Sequence, residues 1–213
     1  MEQYFPFQQF PLPYSYIALM PHCDANTLYY HHDEYYAEAV YELNRLVVRH
    51  RLTDRSLHQL LTEDFNLPAA QLARLKNAAG AMYNHQLYFA GIACKSGQPP
   101  FNRLTEEIVA TYGSIPQFRR LLTEAAESII GSGWVWLVAE GGRGVHIATT
   151  ANNEVVPLTS VTPILIMDVW EHAYLTMEHF NKPSYVDTWF ALINWDEAER
   201  RYLEALNTTG AAG

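Results

Sequence analysis

Asp168 and His172 are the first residues in this sequence whose types and spacing suggest chemistry. They follow Ile164–Met167, an apolar run that is short and rich in β-branched residues. Such a run is typical of a buried strand, so we expect Asp168 at its C-terminal end and His172 where a helix begins. A carboxylate and a neutral imidazole suit a metal such as iron or manganese. A strand cap beside a structural histidine would give the same short motif, so the pair alone leaves both interpretations open.

Two further histidines lie in segments that the sequence predicts to be helical. His31 belongs to a stripe at three- and four-residue steps, which indicates a largely buried helix face: Leu28, His31, Tyr35, Ala39, Leu43 and Leu46. His85 shares a helix face with Asn77 and Ala81. A metal ligand would have to lie on such a face. Other histidines, His32 among them, are expected at the surface or at helix caps.

The composition is that of a folded chain with an acidic balance. Its 213 residues are 49% hydrophobic and 13% aromatic, which is enough for one core or for two small domains that share an interface. The formal net charge of -9 argues against nucleic acid or an anionic membrane as a partner, because both are approached through basic patches. It also disfavours the approach of a small anion unless the site is locally positive.

The two cysteines and the start of the chain bear on its location. Cys23 and Cys94 are expected to be small buried or half-buried thiols, and they do not require an oxidising compartment. The chain opens without the pattern of a signal peptide, and no apolar run approaches the length of a membrane span. We therefore expect a cytoplasmic protein.

The first part of the chain reads as helical. Proline and aromatic residues before position 22 predict an extended arm, and a helix should run from a cap near Asp24 towards Arg51. Shorter helical pieces are expected at residues 54–62 and 68–76. A long helix should then extend from about Leu72 to Ala93.

The second part mixes helices and strands. Lys95–Pro100 has the composition of a linker, so a domain boundary is expected there. After helices near 105–112 and 115–130, three short strands and a hairpin turn at 140–144 are predicted, and two further helices close the chain. The predicted fold is α+β, with an N-terminal helical hairpin over residues 1–95. A C-terminal domain over residues 96–213 would contain a three-stranded antiparallel sheet.

The order of several motifs along the chain resembles that of the iron/manganese superoxide dismutases. The most specific block is Asp-Val-Trp-Glu-His-Ala-Tyr at residues 168–174. The others are Pro13-Tyr14, Pro21-His22, His31-His32, Asn84-His85, Gly-Ser-Gly-Trp-Val-Trp-Leu at 131–137 and Asn-Trp-Asp-Glu at 194–197. The resemblance covers nearly the whole chain, from about residue 11 to about residue 206.

The resemblance implies a metal site, a substrate and an assembly. The implied ligands of one iron or manganese ion per subunit are His31, His85, Asp168 and His172, with superoxide as the substrate. Trp134 and Trp170 would wall the metal pocket. Glu171 and His172 resemble a pair that bridges two subunits through their metal ligands, and Tyr174 would lie in the same interface. A homodimer is therefore implied, and a tetramer remains open.

The departures from the family pattern gather around the implied metal. Where the family presents a histidine and a tyrosine for a proton relay, this chain has Tyr35 and Ala39, of which only Tyr35 can donate a hydrogen bond. Ala81 and Asn153 occupy the two positions from which the family holds the bound solvent with a glutamine. Asn153 keeps the amide but is one methylene shorter, so it reaches the solvent through a shifted backbone or a second water.

Two charged positions also differ from the family. Glu34 stands where a basic residue is common, and this change would weaken the steering of a small anion. Lys182 replaces the arginine that usually precedes the proline of the last loop. Two functions follow from these differences: a working superoxide dismutase with altered surroundings of the metal, or a dimeric metal-binding homologue with little dismutase activity.

Overall fold

The computed structural model describes residues 2–94, 98–141, 144–178 and 181–210. The helices are α1 (Ala25–Tyr29), α2 (Ala37–Arg49), α3 (Leu57–Thr62), α4 (Ala69–Ala90), α5 (Arg103–Tyr112), α6 (Ile115–Ser128), α7 (Glu171–Glu178), α8 (Lys182–Leu192) and α9 (Trp195–Gly210). The strands are β1 (Gly133–Ala139), β2 (Val145–Ala151) and β3 (Thr162–Asp168). The α+β class is confirmed, with helices first and one antiparallel sheet after them. Parts of the predicted linker and hairpin turn, at residues 95–97 and 142–143, lie outside the described residues.

A π-helical turn, Tyr30–Tyr36, connects α1 to α2, so the first helix is not α-helical throughout as the sequence predicts. Its start is as expected, because the Asp24 side chain accepts hydrogen bonds from the first backbone N–H groups of α1. Hydrogen bonds in a π-helix join residues five apart. Tyr36 therefore follows His31 on the buried side, whereas Tyr35 is 53% exposed. The predicted stripe was wrong at Tyr35 for this reason.

His32 is buried as well, and it fastens the N-terminal arm to the helix. Its Nε2 lies 2.7 Å from the Phe10 carbonyl oxygen, and its Nδ1 lies 3.1 Å from the amide nitrogen of Gln9. Because a carbonyl only accepts, Nε2 carries the proton and Nδ1 accepts from Gln9. The expectation of a surface or capping role for His32 was wrong. In the wider π-helical turn, His32 is buried beside His31.

The long helix α4 begins earlier than predicted. Pro68 occupies the position before its first residue, where the missing N–H of proline removes no helical hydrogen bond. No further proline interrupts the chain up to Ala90, so the separate helical piece expected at residues 68–76 is part of α4. One continuous helix thus carries both Asn77 and His85.

The sheet has the order β2-β1-β3, and both pairings are antiparallel. β1 is buried along its whole length, and β3 along all but its first residue, which explains why their sequences are apolar runs without alternation. Trp134 near the start of β1 pairs with Asp168 at the end of β3. Pairing with the central strand therefore fixes the backbone position of Asp168.

A buried arginine on α9 joins the helical part to the sheet. Arg201, only 6% exposed, donates to the carbonyl oxygens of Leu87 in α4 at 3.2 Å and of Ile164 in β3 at 3.3 Å. Its Nε donates to Glu197 Oε1 at 2.9 Å. A buried charge is tolerated when it is paired and its donors are bonded, as they are here.

None of the helices in the described part of the chain has the length and apolar character that a bilayer crossing requires.

Gly80 is the point of closest approach between α4 and the loop after β2. A Cβ atom placed on Gly80 would lie 1.9 Å from the carbonyl oxygen of Asn153, far inside van der Waals contact. The neighbour at Gly80 is thus a loop, and the contact fixes the backbone of Asn153 against α4.

We expect Gly80→Ala to destabilise the protein by about 1–3 kcal/mol, because the new methyl group meets a backbone carbonyl that cannot rotate away. In an unobstructed helix the same change would stabilise by about 1 kcal/mol. Urea unfolding measures the difference. Gly91→Ala, whose Cβ would meet the Leu87 carbonyl oxygen at 3.0 Å, is the milder comparison and should lose less. Equal or greater stability of Gly80→Ala would contradict the close contact.

Candidate metal centre

Four side chains from four separate segments converge at one buried point. His31 comes from the π-helical turn, His85 from α4, Asp168 from the end of β3 and His172 from the first turn of α7. One potential ligand atom from each lies within 4.8 Å of the others. The first three residues are buried and His172 is nearly so. The structure therefore brings together all four residues that the sequence predicts as ligands.

The two oxygens of Asp168 have different partners. Oδ1 accepts a hydrogen bond from the backbone N–H of Trp170 at 2.7 Å, which fixes the turn from β3 into α7. Oδ2 faces the Nε2 atoms of His31, His172 and His85 at 3.1, 3.2 and 3.8 Å. One oxygen thus holds the local backbone, while the other forms the centre of the cluster.

Hydrogen bonding determines the tautomer of His85. Its Nδ1 lies 2.7 Å from the carbonyl oxygen of Ala81, one turn earlier on α4. Since a carbonyl only accepts, Nδ1 carries the proton of the neutral ring and Nε2 presents a lone pair to the cluster. The Nε2 atoms of both His31 and His85 lack a hydrogen bond of acceptable geometry within the described structure.

Burial keeps these two imidazoles neutral. Desolvation lowers the pKa of His31 to about 4 and the pKa of His85 to about 3. For Asp168, burial alone would raise the pKa, but the facing imidazoles of His172 and His31 outweigh it and hold the pKa well below its usual range. Near neutral pH the carboxylate is therefore ionised, and the lone pair of His85 points towards it.

This arrangement fits a metal cation. A lone pair aimed at a buried carboxylate is repulsive unless positive charge lies between them. Three imidazole nitrogens and one carboxylate oxygen, with no thiol, form a donor set suited to iron or manganese. The orphaned Nε2 atoms would be satisfied by coordination.

Aromatic rings hold all three imidazoles in place. Each imidazole packs against at least two of them: His31 against Tyr88 and Phe89, His85 against Tyr36, Phe89 and Trp134, and His172 against Tyr35 and Trp170. The Tyr35 and Trp170 rings lie within 18° and 26° of the plane of His172, respectively. These contacts restrict rotation of the imidazoles and limit the access of water.

The two tryptophans predicted to wall the pocket differ in exposure. Trp134 is fully buried, and its Nε1 lies 3.1 Å from the oxygen of Asn84 in the amide orientation that satisfies Asn84. Trp170 is half-buried and donates from Nε1 to the carbonyl oxygen of Asn152 at 3.2 Å. Both indole nitrogens are therefore bonded, and each ring contacts a predicted ligand: Trp134 contacts His85 and Trp170 contacts His172.

A cavity of about 440 Å³ leads from the surface to His85 and His172. Its wall includes five residues that the sequence predicts near the metal: Tyr35, Ala39, Ala81, Asn153 and Trp170. Two of the other predicted positions have different surroundings. Glu34 is exposed and accepts from the Tyr29 hydroxyl at 3.3 Å. The amine of Lys182 donates to the carbonyl oxygens of Ala126 and Ile129 near the end of α6.

Asn153 is a buried polar residue of the cavity wall. It is 8% exposed, and its Nδ2 donates to Asn77 Oδ1 at 3.3 Å. Its Oδ1 has no hydrogen-bond partner in the described structure. Asn77 was not predicted as a partner of Asn153, although it lies on the same predicted helix face as His85. The sequence does not indicate the path of the loop after β2, and it is this path that brings Asn153 next to Asn77.

Glu171 and Tyr174, the residues expected at a subunit interface, lie on α7 beside His172. Glu171 is exposed. Tyr174 is 4% exposed, and its ring packs against that of Tyr185 at a centroid distance of 5.2 Å. Desolvation, with smaller contributions from the charges of Glu171 and Asp168, raises the pKa of Tyr174. Its phenol is therefore neutral near pH 7.

Comparison with known proteins agrees with this architecture. Residues 6–93 match the alpha-hairpin domain of iron/manganese superoxide dismutases, and residues 100–201 match the C-terminal domain of the same family. A "Superoxide dismutase [Mn/Fe]" from Methylomonas sp. (strain J) is 33% identical over 92% of this chain and 97% of its own length.

Two manganese enzymes are similar to the same extent. A "Superoxide dismutase [Mn]" from Listeria monocytogenes is 34% identical over 90% of this chain and 95% of its own length. A "Superoxide dismutase [Mn] 1" from Leptolyngbya boryana is 33% identical over 92% of this chain and 80% of its own length. With both domains matched and these identities over most of its length, the chain belongs to the iron/manganese superoxide dismutase family.

Proposed function

We propose that this protein is a superoxide dismutase, which converts superoxide to dioxygen and hydrogen peroxide at a single iron or manganese ion. The observation that carries the proposal is the convergence of three imidazoles and one carboxylate, all within 4.8 Å, with two orphaned nitrogens. The names of the similar proteins support the same reaction. They include both Mn/Fe and Mn enzymes, so either ion is compatible with the site.

The four converging side chains would hold the ion. When bound, the ion supplies one-electron chemistry: one superoxide is oxidised to dioxygen, and a second takes up the electron and two protons and leaves as hydrogen peroxide. Asp168 contributes the negative charge of the ligand set, and the Ala81 carbonyl holds His85 in the tautomer that can coordinate. The packed aromatic rings maintain the direction of each lone pair.

Tyr35 and Asn153 are the residues that we propose for proton delivery and for hydrogen bonding to bound solvent. The Tyr35 ring packs on His172 while more than half of the residue is exposed, so its hydroxyl is in reach of bulk water. Asn153 lines the same cavity, and its Oδ1 is a buried acceptor without a partner in the described structure. Because Ala39 and Ala81 bear no polar atoms, water in the cavity would connect the two groups.

We further propose that residues 1–95 and 96–213 are two domains, each of which supplies two ligands to a metal between them. A cytoplasmic location is proposed as well, supported by two free cysteines, of which Cys94 is exposed. The alternative of a metal-holding homologue without dismutase activity receives no support from the names of the similar proteins.

We also propose that the protein forms a homodimer through α7. Exposed Glu171 lies beside the ligand His172, and the exposed tyrosines of the neighbouring turn extend the surface around it. Tyr16, Tyr29 and Tyr30 form a chain of ring contacts with centroid distances of 5.9 and 5.5 Å. Exposed aromatic patches of this kind mark protein interfaces. A glutamate that accepts from the partner subunit's metal-ligand histidine would connect the two sites.

Elemental analysis together with a dismutation assay tests the proposed activity. We expect about one iron or manganese ion per chain, and a rate of superoxide loss far above that of the free ion. The acidic balance of the chain weakens electrostatic steering, so the rate should rise less steeply at low salt than in a positively charged funnel. A full complement of metal with a rate no better than that of the free ion would leave only the metal-holding alternative.

His85→Ala should empty the site. The change removes one of four ligands, so metal affinity should fall by roughly a hundredfold or more. Metal content after dialysis is the measurement. His146→Ala, a change at an exposed histidine on β2, is the matched control and should keep its metal. Full metal retention by His85→Ala would refute the ligand assignment.

Glu171→Ala should weaken the dimer by about tenfold or more, because the partner's histidine loses its acceptor. Light scattering across a concentration series measures the mass, with the chain at 24.3 kDa as reference. Glu106→Ala, which removes an exposed carboxylate from α5, is the control and should leave the mass unchanged. A monomeric wild-type protein, or a dimer indifferent to Glu171, would exclude this interface.

A further inference from the structure

Asn152 has a φ of 49°, one of two positive φ angles at non-glycine residues in the described part of the chain. It is the second residue of a turn over residues 151–154, which a hydrogen bond from the Glu154 N–H to the Ala151 carbonyl oxygen closes at 3.0 Å. Few residues adopt this left-handed conformation, and glycine and asparagine adopt it most readily. The Asn152 side chain is exposed, so this residue acts on its surroundings mainly through its backbone.

The sheet fixes both ends of the 151–154 turn. The Asn152 N–H donates to the Ser132 carbonyl oxygen at 2.9 Å, which extends the pairing of β2 with β1 by one residue. The Thr150 hydroxyl donates to the Glu154 carbonyl oxygen at 2.8 Å. Because both ends are anchored, the chain reverses over only two residues. A positive φ at the second residue of the turn makes this reversal possible.

The two carbonyl groups in the middle of the turn face two elements of the metal centre. The Asn152 carbonyl oxygen accepts from Trp170 Nε1 at 3.2 Å. The Asn153 carbonyl oxygen lies against α4, where a Cβ atom on Gly80 would meet it at 1.9 Å. The Asn153 side chain donates to Asn77 on the same helix. The turn therefore lies between the Trp170 indole and α4, and its backbone conformation determines where both carbonyls point.

Trp170 connects the turn to a proposed metal ligand. Its ring lies within 26° of the plane of His172, and the two centroids are 5.8 Å apart. Its backbone N–H donates to Asp168 Oδ1 at 2.7 Å. The backbone of Trp170 is thus fixed by one proposed ligand, and its indole is fixed by the carbonyl of Asn152. Without the bond to Asn152, rotation about the side-chain torsions would carry the indole away from the face of His172.

We propose that Asn152 is a positioning residue of the metal centre. Its left-handed backbone directs its carbonyl oxygen at the Trp170 indole, which packs on His172, and it places Asn153 in the wall of the cavity. Asn152 acts through these neighbours and not by contact with the reacting atoms. For its effect on turnover this role rests on the proposed dismutase function, whereas the position of Trp170 can be measured without turnover.

Acrylamide quenching of tryptophan fluorescence reports on the position of Trp170. The chain has five tryptophans, and Trp170 is half-buried while the other four are at most 5% exposed. The quencher therefore reaches Trp170 most easily. Loss of the accessible signal in Trp170→Phe identifies its contribution, and all proteins are compared at equal metal content.

Asn152→Val should displace the indole, because a β-branched residue does not tolerate a positive φ. Loss of the hydrogen bond should free the Trp170 ring and raise its quenching constant by about twofold or more. The dismutation rate should fall by roughly tenfold, since a small displacement beside the reacting centre is costly. Asn152→Gly adopts the same φ without strain, so its quenching and its rate should both equal those of the wild-type protein.

Arg51→Val is the matched control for backbone strain. Arg51 has a φ of 58° in the turn after α2, so the same substitution there should lower the urea midpoint to a similar extent. It should leave the quenching constant and the dismutation rate unchanged. If Asn152→Val does not fold, Asn152→Ala takes its place, since alanine is less hindered than valine at a positive φ.

The role of Asn152 would be overturned by unchanged quenching in the valine or alanine variant, by an equal change in Asn152→Gly, or by the same change in Arg51→Val. Raised quenching with a wild-type rate in an active enzyme would also overturn it, because the displaced indole would then have no effect on the site. A wild-type protein without turnover would refute the dismutase proposal alone, since quenching still measures the position of Trp170. Turnover with unchanged quenching would refute only the positioning role.

Discussion

One oxygen of a buried carboxylate faces three imidazole nitrogens, and the surrounding structure must hold these four side chains together. Asp168 Oδ2 lies 3.1 to 3.8 Å from the Nε2 atoms of His31, His172 and His85. Burial lowers the pKa of His31 and of His85, so neither ring brings a proton to the carboxylate near pH 7. A cation bound at this point would balance the negative charge of Asp168.

The framework around that point is built to prevent the side chains from relaxing apart. The Trp170 N–H anchors the other oxygen of Asp168, and the Ala81 carbonyl anchors His85. Arg201 connects α4 to β3, the two elements that carry His85 and Asp168. The packing of aromatic rings on all three imidazoles removes their remaining freedom. The imidazole nitrogens and the carboxylate oxygen are thereby held close together in an arrangement suited to coordination.

The positions of the four residues on a strand end and on helix faces could be predicted from residue types and spacing, whereas their grouping around one metal was implied by the resemblance to the iron/manganese superoxide dismutases. The apolar run before Asp168 predicted a strand end, and the stripes around His31 and His85 predicted buried helix faces; the structure brings the four side chains together. The surroundings were harder to predict. Tyr35 and His32 were misplaced because three- and four-residue periodicity assumes an α-helix, and nothing in the local sequence marks a π-helical turn.

Contacts that depend on tertiary structure could not be predicted from the sequence either. The bond between Asn77 and Asn153 joins residues 76 positions apart and depends on the loop approaching Gly80. Lys182 was expected near the metal, yet its amine binds carbonyl oxygens near the end of α6. In both cases the partner is an amide or a carbonyl group, and such groups occur many times in any sequence. Which of them becomes the partner depends on the path of the chain.

The orientation of the first helix depends on the π-helical turn. This turn accommodates one residue more than an α-helical turn would. If the same residues adopted regular α-geometry, everything on the N-terminal side would be rotated by about 100° around the helix axis relative to α2. The aspartate cap, the aromatic patch and the arm fastened by His32 would then all face a new direction. In this segment the helix geometry is therefore as constrained as the identities of the residues.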